Sequence, residues 1–205
     1  MRIGIMGGTF NPPHTGHINA AEAACRELSL SKLILIPTAT PPHKEMAKDS
    51  ATAEQRLYMT GLLAKILGAE VSDIEIARGG KSYTVDTLTA LSLEYPGNEL
   101  WLIVGTDMFL TLEEWKNPER IFELASITCV PRSNDDREKL LSYSKVLREK
   151  YGAVTRIIDV PAVTISSSEL RPETQAEEMK KFIPEAILSY IRENKLYAKA
   201  AAELD

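Results

Sequence analysis

An α/β fold, a parallel sheet with helices on both faces followed by a small C-terminal helical segment, is what the sequence predicts. Three observations carry it. Short apolar runs recur along the chain, and stretches with helical spacing separate them. The runs are apolar without alternation, as strands covered on both faces must be. The first of them, Arg2 to Met6, feeds a glycine-rich turn that leads straight into a helical pattern, the strand-turn-helix order of an open parallel sheet.

Taken in order, the first helical pattern sets Ile18, Ala21, Cys25 and Leu28 on one side. Lys32 to Pro37 reads as a second buried strand, and Thr38 to Ser50 as a long loop rich in Pro, Thr and Lys. A helix is expected from Ala53 to Leu67. Val71 to Ala77 alternates apolar and polar and predicts a strand, after which Ser82-Tyr83-Thr84 opens a helix running to Tyr95. Glu99 to Val104 and Ser126 to Val130 predict two more strands. A charged helix from Glu138 to Tyr151 and a strand around Arg156 to Val160 come next. Beyond them lie a Ser-rich turn and helical segments out to Ala202, one begun by Pro184, since proline suits a first helical turn. The pattern is Rossmann-like. Residues 1–205 read as a single domain, with a core over about residues 1–160 and the motif turn and C-terminal helices over about 161–205.

The composition sets bounds on function. At 205 residues with 44% hydrophobic side chains, the chain can build its own core without metal or disulfide. Cys25 and Cys129 sit in apolar surroundings at no metal-ligand or redox spacing, so both read as core residues in a reducing compartment. No basic leader opens the chain and no apolar run is long enough to span a bilayer, so a cytoplasmic protein is expected. A net charge of −5 and a pI near 5.4 argue against nucleic acid as a partner. An anion would have to be bound by local groups.

Gly7-Gly8-Thr9-Phe10-Asn11-Pro12-Pro13-His14-Thr15-Gly16-His17 supplies such groups. The turn lies at the carboxyl end of a strand, where open parallel sheets bind ligands against exposed N–H groups and a helix N-terminus. His14 and His17, three residues apart, share one side of a first helical turn. The third histidine, His43, lies with Lys44 in the loop after the second strand, on the same sheet edge. Zinc is disfavoured, because no third or fourth ligand stands at a suitable spacing. Neither a Gly-x-x-x-x-Gly-Lys-Ser/Thr loop nor a Gly-x-Gly-x-x-Gly turn occurs, which disfavours P-loop nucleotidases and ordinary dehydrogenases. A second stretch, Ile165-Ser166-Ser167-Ser168-Glu169-Leu170-Arg171, reads as a capped helix start with hydroxyls and an arginine for phosphate oxygens. Two helix starts, two histidines and an arginine suit a polyphosphate.

These two stretches resemble the His-x-Gly-His signature and the Ile-Ser-Ser-Thr-x-x-Arg partner of the nucleotidyltransferase superfamily. Pro41-Pro42-His43-Lys44, Ser82 to Leu88, Gly105-Thr106-Asp107, Trp115-Lys116 and the tail from Ile183 to Tyr197 resemble bacterial nicotinate-nucleotide adenylyltransferases. The likeness runs from residue 3 to residue 197. Ser168 stands where that family usually has Thr, and Pro131-Arg132-Ser133 replaces its Arg-Pro-Gly.

The resemblance implies adenylyl transfer from ATP to nicotinate mononucleotide, giving deamido-NAD and pyrophosphate, with Mg²⁺ carried on the ATP phosphates and no standing metal site. It makes His14, His17 and Arg171 catalytic. ATP falls to Gly7, Gly8, Thr9, Phe10, Gly105, Asp107, Ser166, Ser167 and Arg171. The mononucleotide falls to His43, Lys44, Thr84, Trp115, Lys116 and Arg132, with Trp115 as a stacking platform, while Tyr83 and Trp101 are expected in the core. ATP and the mononucleotide are the implied partners, with no membrane contact; a homo-oligomer is left open. Transfer to nicotinamide mononucleotide or phosphopantetheine, and nucleotide binding without catalysis, are the rival readings. An aminoacyl-tRNA synthetase is excluded by size, acidity and the lack of a Lys-Met-Ser-Lys-Ser-like loop.

Overall fold

A computed structural model describes residues 1–42, 46, 49–131, 136–158, 167–171 and 180–197. These residues form a Rossmann-like sheet of six strands: β1 (Arg2–Gly8), β2 (Lys32–Pro37), β3 (Glu70–Val71), β4 (Glu99–Gly105), β5 (Ala125–Val130) and β6 (Thr155–Ile157). They lie in the order β3-β2-β1-β4-β5-β6, and every neighbouring pair is parallel. The order reverses between β1 and β4, which sets the loops after β1 and β4 on either side of a crevice at the carboxyl edge.

Strand alternation divides the core between the two faces. Met6, Leu33, Leu35, Trp101 and Ile103 pack under α1 (Thr15–Leu28) and α2 (Ala53–Leu67). Ile3, Ile5, Ile34, Ile36, Leu100, Leu102 and Ile127 pack on the other face, beneath α4 (Thr84–Glu94), α6 (Pro118–Leu124) and α7 (Arg137–Tyr151). Both alternating sets are apolar, which is why the strands read as unbroken runs. Gly4 lets β1 sit this close to its neighbours: a Cβ there would lie 2.4 Å from Leu30 Cδ1. Cys129 is fully buried, and burial pushes its thiol up to about 12, so it is an inert filler of the core.

The strand expected over Val71–Ala77 is corrected. Pairing stops at Val71, Ser72 Oγ accepts the Ile74 N–H at 3.3 Å, and Ile74–Arg78 forms a short helix, α3. At the sheet edge only two residues find a partner strand, and the Ser72-Asp73 turn then competes with further pairing. The helix α6, not anticipated, begins with Pro118 at its first position. Two short helices complete the strand edge, α5 (Thr106–Phe109) and α8 (Ser167–Leu170), and α9 (Glu185–Glu193) follows Pro184 as expected. Ile187, Leu188 and Ile191 of α9 join the α1–α2 side of the core. The expected strand beyond Ile158 and helix beyond Tyr197 lie outside the described residues.

Candidate active site

The carboxyl ends of β1, β2, β4 and β5 open into a cavity of about 580 Å³. Gly7, Gly8, Thr9, His14 and His17 wall it on one side, Gly105 and Asp107 on another, and Thr84, Trp115 and Lys116 close it, with Ser167 and Ser168 at the rim. At Gly7 and Gly105 a Cβ would meet nothing within 4 Å, so the strand ends there face open space that a ligand can enter.

The two histidines are built into the start of α1. His14 is the N-cap, and its Nδ1 accepts the Gly16 N–H at 3.1 Å; His17, at the third position, accepts the His14 N–H on its own Nδ1 at 3.2 Å. This is a reciprocal capping box made of imidazoles. An Nδ1 that accepts carries no proton, so both neutral rings carry it on Nε2. The ring centroids lie 3.9 Å apart, and the Phe10 ring backs His17 at 4.9 Å. Two N–H donors are thus set side by side.

The loop before them is anchored from elsewhere in the chain. Asn11, 2% exposed, accepts the Ala51 N–H at 3.1 Å and the Tyr197 hydroxyl at 2.7 Å on its Oδ1. Ser167 Oγ donates to the Pro12 carbonyl at 2.9 Å, and Arg171 Nη1 to the Asn11 carbonyl at 3.2 Å. The first and second motifs therefore meet directly. Arg171 sits behind the cavity wall, 3.7 Å from Asp49, and Phe10 is fully buried; neither is among the residues that line the cavity.

Trp115 follows a short 3-10 turn, Leu112–Glu114. Glu113 ties that turn to α7 through Lys150 at 2.8 Å and the Tyr151 hydroxyl at 3.1 Å, and the Lys150 bond in particular holds its carboxyl below the usual range. Trp115 Nε1 donates to Thr111 Oγ1 at 3.3 Å, leaving the half-buried indole against the cavity. Lys116 reaches Asp86 at 3.2 Å and lies 4.4 Å from the Tyr83 ring centroid. Tyr83, expected in the core, stands half-buried in the cavity wall between Lys116 and Thr84, whereas Trp101 is in the core as expected.

His43, Lys44, Arg132 and Ser166 lie outside the described residues. Glu75 was not anticipated: 6% exposed, it lines the same wall and accepts the Thr87 hydroxyl at 2.8 Å. Its place in a run misread as a strand concealed it.

The site is a crevice at the switch point of a parallel sheet with two histidines on one helix start, and by its full-length relatives the chain is a nucleotidyltransferase. Residues 5–173 match the Cytidylyltransferase-like family model, and the chain belongs to that family. Among curated relatives it is 36% identical to the probable nicotinate-nucleotide adenylyltransferase of Lachnoclostridium phytofermentans, over 96% of this chain and 98% of that one. It is 37% identical to the protein of the same name from Citrifermentans bemidjiense, over 98% of this chain and 100% of that one. Among solved structures it resembles Plasmodium falciparum nicotinic acid mononucleotide adenylyltransferase complexed with NaAD, with a TM-score of 0.77 at 19% identity, covering 96% of this chain and 97% of that one. At that identity the likeness is one of fold.

Proposed function

We propose that the protein transfers the adenylyl group of ATP to nicotinate mononucleotide, forming deamido-NAD and releasing pyrophosphate in NAD biosynthesis. The observation that carries this reading is the single cavity shared by the twin histidines, the Ser167 rim and the Thr84–Trp115–Lys116 wall.

A phosphate oxygen of the mononucleotide attacks the α-phosphorus of ATP. The new bond forms there as the bond from that phosphorus to the oxygen of the leaving pyrophosphate breaks. The nucleophile is already an anion, so no general base is needed. In-line positioning and stabilisation of charge on the α-phosphoryl and the leaving group are what the protein must supply.

The Nε2–H groups of His14 and His17 and the backbone N–H groups of Gly8 and Thr9 are suited to that charge. Ser166, Ser167 and Arg171 take the triphosphate, and Gly7, Gly105 and Asp107 the adenosine side. Thr84, Trp115 and Lys116 hold the nicotinate end, with His43, Lys44 and Arg132 completing the mononucleotide contacts.

In this scheme Mg²⁺ would enter on the ATP phosphates, neutralising their charge when bound. No described helix is long and apolar enough to cross a membrane, and a cytoplasmic setting, where ATP is supplied, fits the reaction.

Pyrophosphate release is the test, measured with ATP and each mononucleotide in turn. Release dependent on nicotinate mononucleotide is expected. Nucleotide binding without release would leave a binding protein instead.

A further inference from the structure

Glu75, the second residue of α3, is 6% exposed and lines the cavity. One oxygen of its carboxylate is engaged. Oε1 receives the Thr87 hydroxyl at 2.8 Å, and Arg78 Nη2 donates to that same hydroxyl at 3.0 Å. Among the described residues Glu75 has no cation within ion-pair distance, and its Oε2 accepts no hydrogen bond. Oε2 is not among the sealed-off atoms left without a partner either, so it is reached from the open side of the wall. A nearly buried carboxylate with one neutral partner is unfavourable. A donor arriving from the cavity relieves that.

The wall around Glu75 stands on the β2 side of β1. Thr87 follows Thr84 by three residues in α4, so the two share a helix face, and Thr84 lines the cavity with Ser82 and Tyr83. The Ser82 N–H donates to the Thr40 carbonyl at 2.9 Å, and the Ser82 hydroxyl accepts the Ala39 N–H at 3.0 Å. Both bonds moor this wall to the loop after β2. Gly105 and Asp107, given to adenosine, follow β4 on the opposite side of β1. Glu75 therefore belongs with the space given to the mononucleotide.

An ionised carboxylate accepts hydrogen bonds and donates none. The carboxylate and the phosphate of nicotinate mononucleotide are anions, which a carboxylate repels. The pyridinium ring carries no N–H. The donors that remain on this substrate are its two ribose hydroxyls.

Resting on the nucleotidyl-transfer reading of this cavity, we propose that Glu75 is a specificity residue for the ribose of the mononucleotide. Its Oε2 accepts a hydrogen bond from one ribose hydroxyl, while the bond from Thr87 to Oε1 holds the carboxylate in place. The site thereby distinguishes a ribonucleotide from a deoxyribonucleotide.

The test is pyrophosphate release with ATP and, in turn, nicotinate mononucleotide, its 2′-deoxy analogue and its 3′-deoxy analogue. In the wild-type protein one of the two deletions should lower kcat/KM at least about tenfold, the scale of a hydrogen bond to a charged group. In Glu75→Ala the same deletion should cost less than about twofold, because the acceptor is gone. Glu75→Gln keeps an oxygen for Thr87 and loses the charge, so the deletion penalty should shrink at least about threefold. A purely structural Glu75 would instead slow all three substrates by one common factor.

Wild-type efficiencies that agree within about twofold for all three substrates overturn the assignment, and that reading needs no variant to fold. A deletion penalty kept in full by either folded variant overturns it too. Release with nicotinate mononucleotide upholds the nucleotidyl-transfer reading whichever way Glu75 falls. Release with none of the three overturns that reading and this assignment together.

Discussion

The Tyr197 hydroxyl donates a 2.7 Å hydrogen bond to Asn11 Oδ1, joining the end of the described chain to the loop that opens the candidate active site. Tyr197 is buried and holds a φ of 60°, a conformation unfavourable for an aromatic residue. The bond and the packing around the ring offset that cost. Tyr197→Phe should lower stability by about 1 kcal/mol, the usual net worth of such a bond, measured by urea unfolding.

The same residue sets a pH dependence. Burial raises the Tyr197 pKa above the ordinary tyrosine value, against opposing pulls from Arg171 and Arg56. A raised folded value means the contribution is fully present below the unfolded pKa, near pH 10. It is lost as pH climbs through the folded value. Wild-type stability should therefore decline above about pH 10, and Tyr197→Phe should show a shallower decline. Identical alkaline limbs for the two proteins would refute it.

His17 has two jobs, and substitutions separate them. His17→Ala should cut turnover roughly a hundredfold, the scale for one lost preorganised donor. It also removes the acceptor for the His14 N–H, costing about 1 kcal/mol of helix capping. His17→Asn restores a capping acceptor without the imidazole donor. It should melt near wild type yet stay as slow as the alanine variant; near wild-type turnover in His17→Asn would assign His17 to the fold.

Arg171 donates to the Asn11 carbonyl and faces Asp49, so it supports the first loop from behind; the proposed function also gives it the triphosphate. Arg171→Ala should raise the KM for ATP more than that for the mononucleotide, and Arg171→Lys should recover part of the loss. Calorimetry showing normal ATP affinity in both variants would remove Arg171 from the ATP site.

Substrate choice should follow hydrogen-bond polarity. Donors at Thr84 and along the backbone near Lys116 favour the nicotinate carboxylate over the nicotinamide amide, and one unpaired buried polar group costs about 1–3 kcal/mol. A preference of at least about a hundredfold in kcat/KM is expected, equivalent to roughly 3 kcal/mol. Trp115→Ala should weaken both substrates alike, and Thr84→Val should narrow the gap. Glu75 is an acceptor in the same wall, with one oxygen already receiving the Thr87 hydroxyl. Equal efficiencies for the two mononucleotides would overturn this account of the specificity end.

The sheet was legible because Ile3, Ile5, Ile34, Ile36, Leu100 and Leu102 fill one face while Met6, Leu33, Leu35 and Ile103 fill the other. Among the described residues periodicity misread Val71–Ala77, where pairing stops after two residues, and passed over α6. The family resemblance found the glycine turn, the histidines and Trp115, because motif residues are neighbours in sequence. It passed over Arg56 and Glu75, buried polar groups bonded to residues 12 to 47 positions away along the chain. A signal for Arg56 was present all the same: it shares a helix face with the buried Met59 and Leu63, where a charged side chain calls for an explanation.

The glycine turn leaves the ribosome long before three of its supports do. Thr15 N–H donates to the Phe182 carbonyl at 2.8 Å, Pro12 receives Ser167, and Asn11 receives Tyr197. Residues 11–15 must therefore wait for partners that lie 155 to 186 residues further along the chain. A polypeptide terminated between residues 17 and 197 keeps His14 and His17 but loses at least one of the ties that steady their loop, so a truncated gene yields a loosened site.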